Sequence, residues 1–228
     1  MKPRDIFILV LRILLLTAGM FVMALGIADV TLAGLGTTPI STVPLVTAEI
    51  LGITFGEATF VVNCFFVLGQ IVLLRRGYQL VNLLQIPLVF AFGFFIDLGM
   101  GIFSALQPAD LWQRWAMSLS GNLLLAVGVY ASIKSRTLVQ PGEGIVMAVS
   151  IVTHKSFGSL KIANDVSLVA IAAAAGWFVL GRFVGIGLGT LVSAVMVGLM
   201  IKGINALYRL VVPKKSTRVV MRGDDKEN

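Results

Sequence analysis

The chain has 228 residues, 57% hydrophobic and 13% charged, and its 18 lysines and arginines outnumber its 11 acidic residues to leave a net charge of +7. A soluble domain carries about 25% charged residues, so this composition, with a mean hydropathy of +0.96, excludes a water-soluble globule and points to a helical protein of the bilayer. One histidine (His154) and one cysteine (Cys64) exclude an internal disulfide and provide no Cys/His ligand set for zinc.

The first apolar run, about residues 6–28, follows Lys2 and Arg4 and is interrupted only by Arg12 and Thr17. It exceeds the roughly 7–15 residues of a signal-peptide core and is long enough to cross about 30 Å of hydrocarbon. It reads as a retained helix, with Arg12 snorkelling to the headgroups.

Gly34-Leu-Gly-Thr-Thr-Pro-Ile-Ser-Thr comes next. Its glycines are free to take positive φ, and Pro39 suits a helix's first turn, where its missing N–H is not needed. The apolar segment 39–51 would rise only about 20 Å as a helix, too short to span, and is expected to be a re-entrant half-helix starting inside the membrane. On this reading Gly36, Thr37, Thr38, Pro39 and Ser41, with Thr42 beside them, hold a solute's anion or carbonyl oxygen at the positive end of the dipole. The alternative is a glycine-rich crossing whose hydroxyls bond back to the helix.

Two spans follow, over 56–74 and 79–103. Asn63 is the mid-span amide of the first and is expected to line the solute path. Asn82 and Gln85 share a face of the second, where Pro87 is expected to kink the helix, and inter-helix hydrogen bonding is the simpler role for these amides. Glu49 and Glu57 read as solvated outer residues, Asp97 and Lys202 as interfacial anchors.

A span over 112–133 precedes Gln140-Pro-Gly-Glu-Gly-Ile-Val-Met, which repeats the half-helix logic over 143–155. Gly142 and Gly144 flank Glu143. A carboxylate at membrane depth is a proton or cation site by default; at the interface it would cap the half-helix and pair with Lys134 or Arg136. His154 reads as a loop residue. Spans over 160–181 and 186–208 complete the set. Asp165, next to Asn164, either couples ions or pairs with Lys161 one helical turn away. Gly185, Gly189 and Ser193, and likewise Thr190, Ala194 and Gly198, recur every four residues and predict two small faces for close helix contact.

Shifting the chain by 106 positions gives 8 identities over the 26 positions from 27 to 52, among them Thr31 with Thr137 and Gly36 with Gly142. In this register Glu143 stands opposite Thr37. The chain then divides into halves 1–106 and 107–212 and a polar tail, 213–228, whose basic part suits anionic lipid rather than nucleic acid. Each half has three spans and one half-helix. Three is odd, so the halves are inverted, and the loop charges agree: 14 of the 18 basic residues fall on one side, which the positive-inside bias makes cytoplasmic, with both termini there. Inverted repeats with broken helices are an architecture of secondary transporters.

Gly-Leu-Gly-Thr-Thr-Pro-Ile-Ser-Thr at 34–42, Pro-Gly-Glu-Gly-Ile-Val-Met-Ala at 141–148 and Gly-Ile-Gly-Leu-Gly-Thr at 185–190 resemble signatures of the YczE/YitT-type bacterial integral membrane proteins. The resemblance runs from about residue 12 to 205. It implies a bacterial cytoplasmic-membrane protein of a largely uncharacterised family, supplies no substrate and no catalytic residue, and draws attention to Gly34, Gly36, Thr37, Pro39, Gly142, Glu143 and Gly144.

The expectation is therefore an all-α polytopic transmembrane bundle of two inverted repeats, each with three spans and one re-entrant half-helix. Its expected function is transport or export of a small polar solute across the cytoplasmic membrane, with no enzyme chemistry, cofactor or metal. Gly36, Thr37, Thr38, Pro39, Ser41, Asn63, Gly142 and Gly144 would bind the solute, and Glu143 and Asp165 would couple it to ions or protons. A passive channel and a non-transporting scaffold that presents its tail are the alternatives, and a homo-oligomer is left open.

Overall fold

A computed structural model describes residues 3–211, so the predicted tail at 213–228 lies outside the described residues. The described chain is a helical membrane bundle: α1 (Pro3–Leu32), α2 (Pro39–Leu51), α3 (Phe55–Leu74), α4 (Gln85–Phe103), α5 (Leu111–Ser135), α6 (Pro141–Thr153), α7 (Phe157–Ala175) and α8 (Leu188–Val211). Six helical stretches are long and apolar enough to cross a membrane, and they match the six predicted spans. Large apolar side chains such as Phe65, Phe90, Phe94 and Phe178 point outward, as a lipid-facing surface requires.

Local chemistry sets the boundaries. Pro39 and Pro141 open α2 and α6, each after an extended residue, Thr38 and Gln140. Both short helices have 13 residues and close on a left-handed residue, Gly52 (φ 66°) and His154 (φ 56°). Such an end frees the chain to turn at once into the next helix; His154 is thus a helix terminator. Thr54 and Glu57 form a capping box at the start of α3, so Glu57 is engaged at a helix start rather than merely solvated. Pro87 lies in the first turn of α4, behind a 3₁₀ segment at Leu80–Leu84. It therefore kinks nothing: the helix is tightened before the proline and begins there.

The centre of the bundle is the pair α1 and α5. Gly26 lies on Gly121 and Leu125, and Gly19 on Gly128 and Ser132, so the two helices run antiparallel. A Cβ on Gly26 would come within 2.5 Å of the Leu125 backbone nitrogen, so only glycine permits this approach; where lipid and core are equally apolar, close packing of this kind holds helices together. α4 packs on α1, and α8 on α5. Each short helix lies between two long ones, α2 between α3 and α7, and α6 between α7 and α3. Leu16, Met20, Met23, Ile27, Phe92, Ile96 and Leu125 form the main apolar core.

The helix starts match at an offset of 102 residues, Pro39 with Pro141 and Phe55 with Phe157. This replaces the 106-residue register and places Glu143 opposite Ser41 instead of Thr37. The identities behind the longer offset are spread over α1, the loop and α2, whereas the prolines that open the short helices set the shorter one.

Candidate functional site

The first glycine-rich stretch folds against the loop that precedes α8. Gly34 and Gly36 take φ of 71° and 113°. The Thr37 backbone N–H donates to the Gly185 carbonyl (2.8 Å) and the Gly189 N–H to the Leu35 carbonyl (2.8 Å). Thr190 Oγ1 donates to the Gly185 carbonyl, and Thr37 Oγ1 bonds Thr31 Oγ1 at 2.7 Å. Two of the three signature motifs are thus one joint. Gly36, pressed on Gly187 and Thr190, and Thr37, fully buried, are spent on that joint rather than turned toward a solute.

Past this joint the two half-helix starts meet: Ile40 lies directly against Gly142, which occupies the matching place in α6. Beside that contact is a cavity of about 330 Å³ lined by Thr38, Pro39, Ser41, Asn63, Gly142, Glu143, Lys161, Asp165 and Ser193, with apolar walls that include Met23, Phe92, Leu125, Val129 and Val197. Met23, Asn63, Phe92, Leu125 and Val197 come from near the middles of five long helices, so the space is at membrane depth. At about 330 Å³ it is at the small end of small-molecule sites. A second cavity, of about 280 Å³, reaches Ser132, Arg136 and Thr137. Gln140, Glu143 and Val129 line both spaces, so Glu143 stands between them.

The polar groups differ in how far they are committed. Thr38 Oγ1 donates to Ser41 Oγ at 2.8 Å, and Thr42 Oγ1 to the Pro39 carbonyl, so the hydroxyls of the first start bond partly among themselves. Asn63, on the cavity wall, donates its amide N–H to the Thr59 carbonyl of its own helix. Lys161 and Asp165 are paired at 2.7 Å, as their i, i+4 spacing favours. Glu143 has no ion pair or side-chain hydrogen bond among the described residues. Its sequence-suggested partner Lys134 instead lies over the rings of Tyr130 and Tyr208, tying α5 to α8. Ser193 is 1% exposed and its hydroxyl has no partner.

The structure thus brings together Thr38, Pro39, Ser41, Asn63, Gly142, Glu143 and Asp165, and leaves out Gly36, Thr37 and Gly144. Gly144 lies against the buried Gln70 side chain, whose amide donates to Gln85 Oε1 and to the Pro141 carbonyl, both at 3.3 Å. Gln70, unremarked in the sequence, therefore ties α3 and α4 to the start of α6, and Gln85 makes the inter-helix hydrogen bond expected of it. The small residues of α8 are turned differently as well. Gly185 precedes the helix, while Ser193, Ala194 and Gly198 line the cavity.

Two acidic residues also depart from expectation, and a third, Asp29, carried none. Asp97 accepts from the Gly56 N–H (2.7 Å) and Thr54 Oγ1 (2.6 Å), so it anchors the start of α3 rather than the interface. Glu49 pairs with Arg182, joining α2 to the α7–α8 connection. Asp29, 4% exposed, accepts from Ser120 Oγ at 2.8 Å; it lies just past the predicted span end at residue 28, whereas α1 continues to Leu32.

The sequence matches the model of a family of unknown function (DUF6198) over residues 10–206. No curated protein and no solved structure matches it.

Proposed function

Because the chain belongs to this family, which carries no activity to inherit, we propose from its geometry that it is a transporter of a small polar solute. The observation that carries this reading is the meeting of the two half-helix starts, Ile40 on Gly142, beside a polar-lined cavity of about 330 Å³ at membrane depth. Backbone that breaks inside a membrane is tolerated where it is buried in protein or lines a cavity, and paired broken helices at the midplane are where secondary transporters hold their cargo. In this reading α2 and α6 are re-entrant and the halves are inverted, which the antiparallel run of α1 against α5 supports. The loop charges favour cytoplasmic termini, and the motif likeness to YczE/YitT-type proteins fits a bacterial cytoplasmic membrane.

Thr38, Ser41, Asn63 and Gly142 form the solute's surroundings, and Glu143, between the two cavities, is the coupling group. Asp165 is already paired and is secondary. The test is exchange from vesicles. Purified protein is reconstituted in liposomes loaded with a defined metabolite mixture, and the contents are followed by mass spectrometry. One or a few solutes should leave faster than from protein-free vesicles, and Ser41→Trp, which fills the cavity, should return them to the background rate. Loss of every solute alike, or unchanged exchange in Ser41→Trp, would sink the reading. Topology is tested separately by replacing Cys64 with Ser and labelling single cysteines at Gly52, Ser104 and Ser156 with an impermeant maleimide in intact cells: labelling at the first two and not the third is expected.

A further inference from the structure

We propose that the central cavity takes a small organic cation, an aliphatic ammonium compound whose charged head pairs with Glu143 and whose apolar body lies against Phe92, Leu125 and Val129. The inference rests on the reading of this cavity as the solute's site and adds the sign of the solute's charge.

Charge decides first. Three charged side chains line the cavity, Glu143, Lys161 and Asp165. Lys161 and Asp165 neutralise each other at 2.7 Å, and Arg136, which lines the neighbouring space, forms no ion pair with Glu143. One carboxylate remains uncompensated at membrane depth. Such a group is costly unless a cation or a proton joins it.

Hydrogen-bonding capacity points the same way. An anion would rely on the amide donors of the half-helix starts; several of these are taken, Ser41 N–H by Thr38 and the Glu143 and Gly144 N–H groups by the Gln140 carbonyl, and the Glu143 carboxylate beside the remaining ones repels a second negative charge. Lys161 is held by Asp165. Acceptors line the space: the Glu143 carboxylate has no partner, Asn63 stands on the same wall with its Nδ2 already donating to Thr59, and the buried, unpartnered Ser193 hydroxyl can accept or donate. An ammonium group carries donors and no acceptor, which complements that set. One wall, made by Met23, Phe92, Leu125, Val129 and Val197, is apolar, so the body that follows the charge is hydrocarbon.

Equilibrium dialysis of the full chain in an uncharged detergent, with radiolabelled pentylammonium as probe and pentanol and pentanoate as competitors of the same length, tests this directly. Saturable pentylammonium binding is expected, displaced by neither competitor. Glu143→Gln should weaken it about tenfold or more, as removal of one member of a buried charge pair does, Glu143→Asp should keep most of it, and Asp165→Asn, which leaves the Lys161 ammonium without its partner on the same cavity wall, should weaken it as well. Absence of saturable ammonium binding, displacement by pentanoate, or undiminished affinity in a folded Glu143→Gln protein would overturn the inference. If Glu143→Gln does not fold, the three-compound competition on the native chain decides the charge preference alone. The transport reading fails separately: ammonium bound but never carried into vesicles would leave the cation site standing and remove the transporter, while a neutral or anionic solute carried without ammonium binding would do the reverse.

Discussion

In the first half of the molecule α3 and α4 are clamped together. Gly56 presses on Gly93, Asp97 receives the Gly56 N–H and the Thr54 hydroxyl, and Phe60 meets Phe90 edge to face. In the second half the corresponding helices α7 and α8 barely touch, although α8 packs on α5 much as α4 packs on α1. Gly158, in the place of Gly56, has nothing within 4 Å of where its Cβ would be. Ser156, in the place of Thr54, caps only its own helix through Ser159, and α8 carries Leu199 where α4 carries Asp97. The cavity lies in the gap, with Ile162 of α7 and Ala194 and Gly198 of α8 on its walls. A carboxylate, a glycine contact and an aromatic pair thus mark the closed helix pair against the open one, and the cavity lies beside the open pair.

That contrast can be broken most severely at Gly56. Gly56→Leu drives a side chain into the Gly93 carbonyl and the Asp97 carboxylate, and loss of folded protein is expected, read as failure to elute as a single species in detergent. Next comes the joint between the halves. Gly36→Ala imposes a side chain at φ 113° beside Thr190 and Gly187, which should cost about 2 kcal/mol or more and lower the thermal unfolding midpoint clearly. Asp97→Ala removes two hydrogen bonds from the start of α3 and should cost about 1–3 kcal/mol, visible as a smaller drop in the same measurement. The smallest effect sharpens the comparison: Gly158→Leu, at the counterpart of the most sensitive glycine, should stay within about 0.5 kcal/mol. Equal sensitivity at Gly56 and Gly158 would mean that the two halves are closed alike.

Much of this was legible in the residues. Six long apolar runs and two short ones behind prolines become helices within a few residues of their predicted ends, and Thr38, Ser41, Asn63, Glu143 and Asp165 do share one cavity. What escaped was the facing of side chains. Gly36 and Thr37 have the composition of a binding loop, yet the glycines that fit them are about 150 residues further along the chain, at 185–190. Gly144 neighbours Glu143 in sequence but points to Gln70, because successive helical residues point about 100° apart. Asp97 looked like an anchor because its partner, the start of α3, is more than 40 residues earlier.

The sequence by itself determined where helices run and where they break. In hydrocarbon every backbone N–H and C=O must be satisfied within its own segment or by buried protein, so apolar length, proline and glycine suffice to place the ends. Tertiary structure decided which polar side chains are spent and which are free. Lys161 cancels Asp165, the first signature loop is consumed by the loop before α8, and Glu143 is left unpaired between two cavities. Such outcomes depend on which helix faces which, and small residues such as Gly26 and Gly121 settle that by permitting contacts no local pattern encodes.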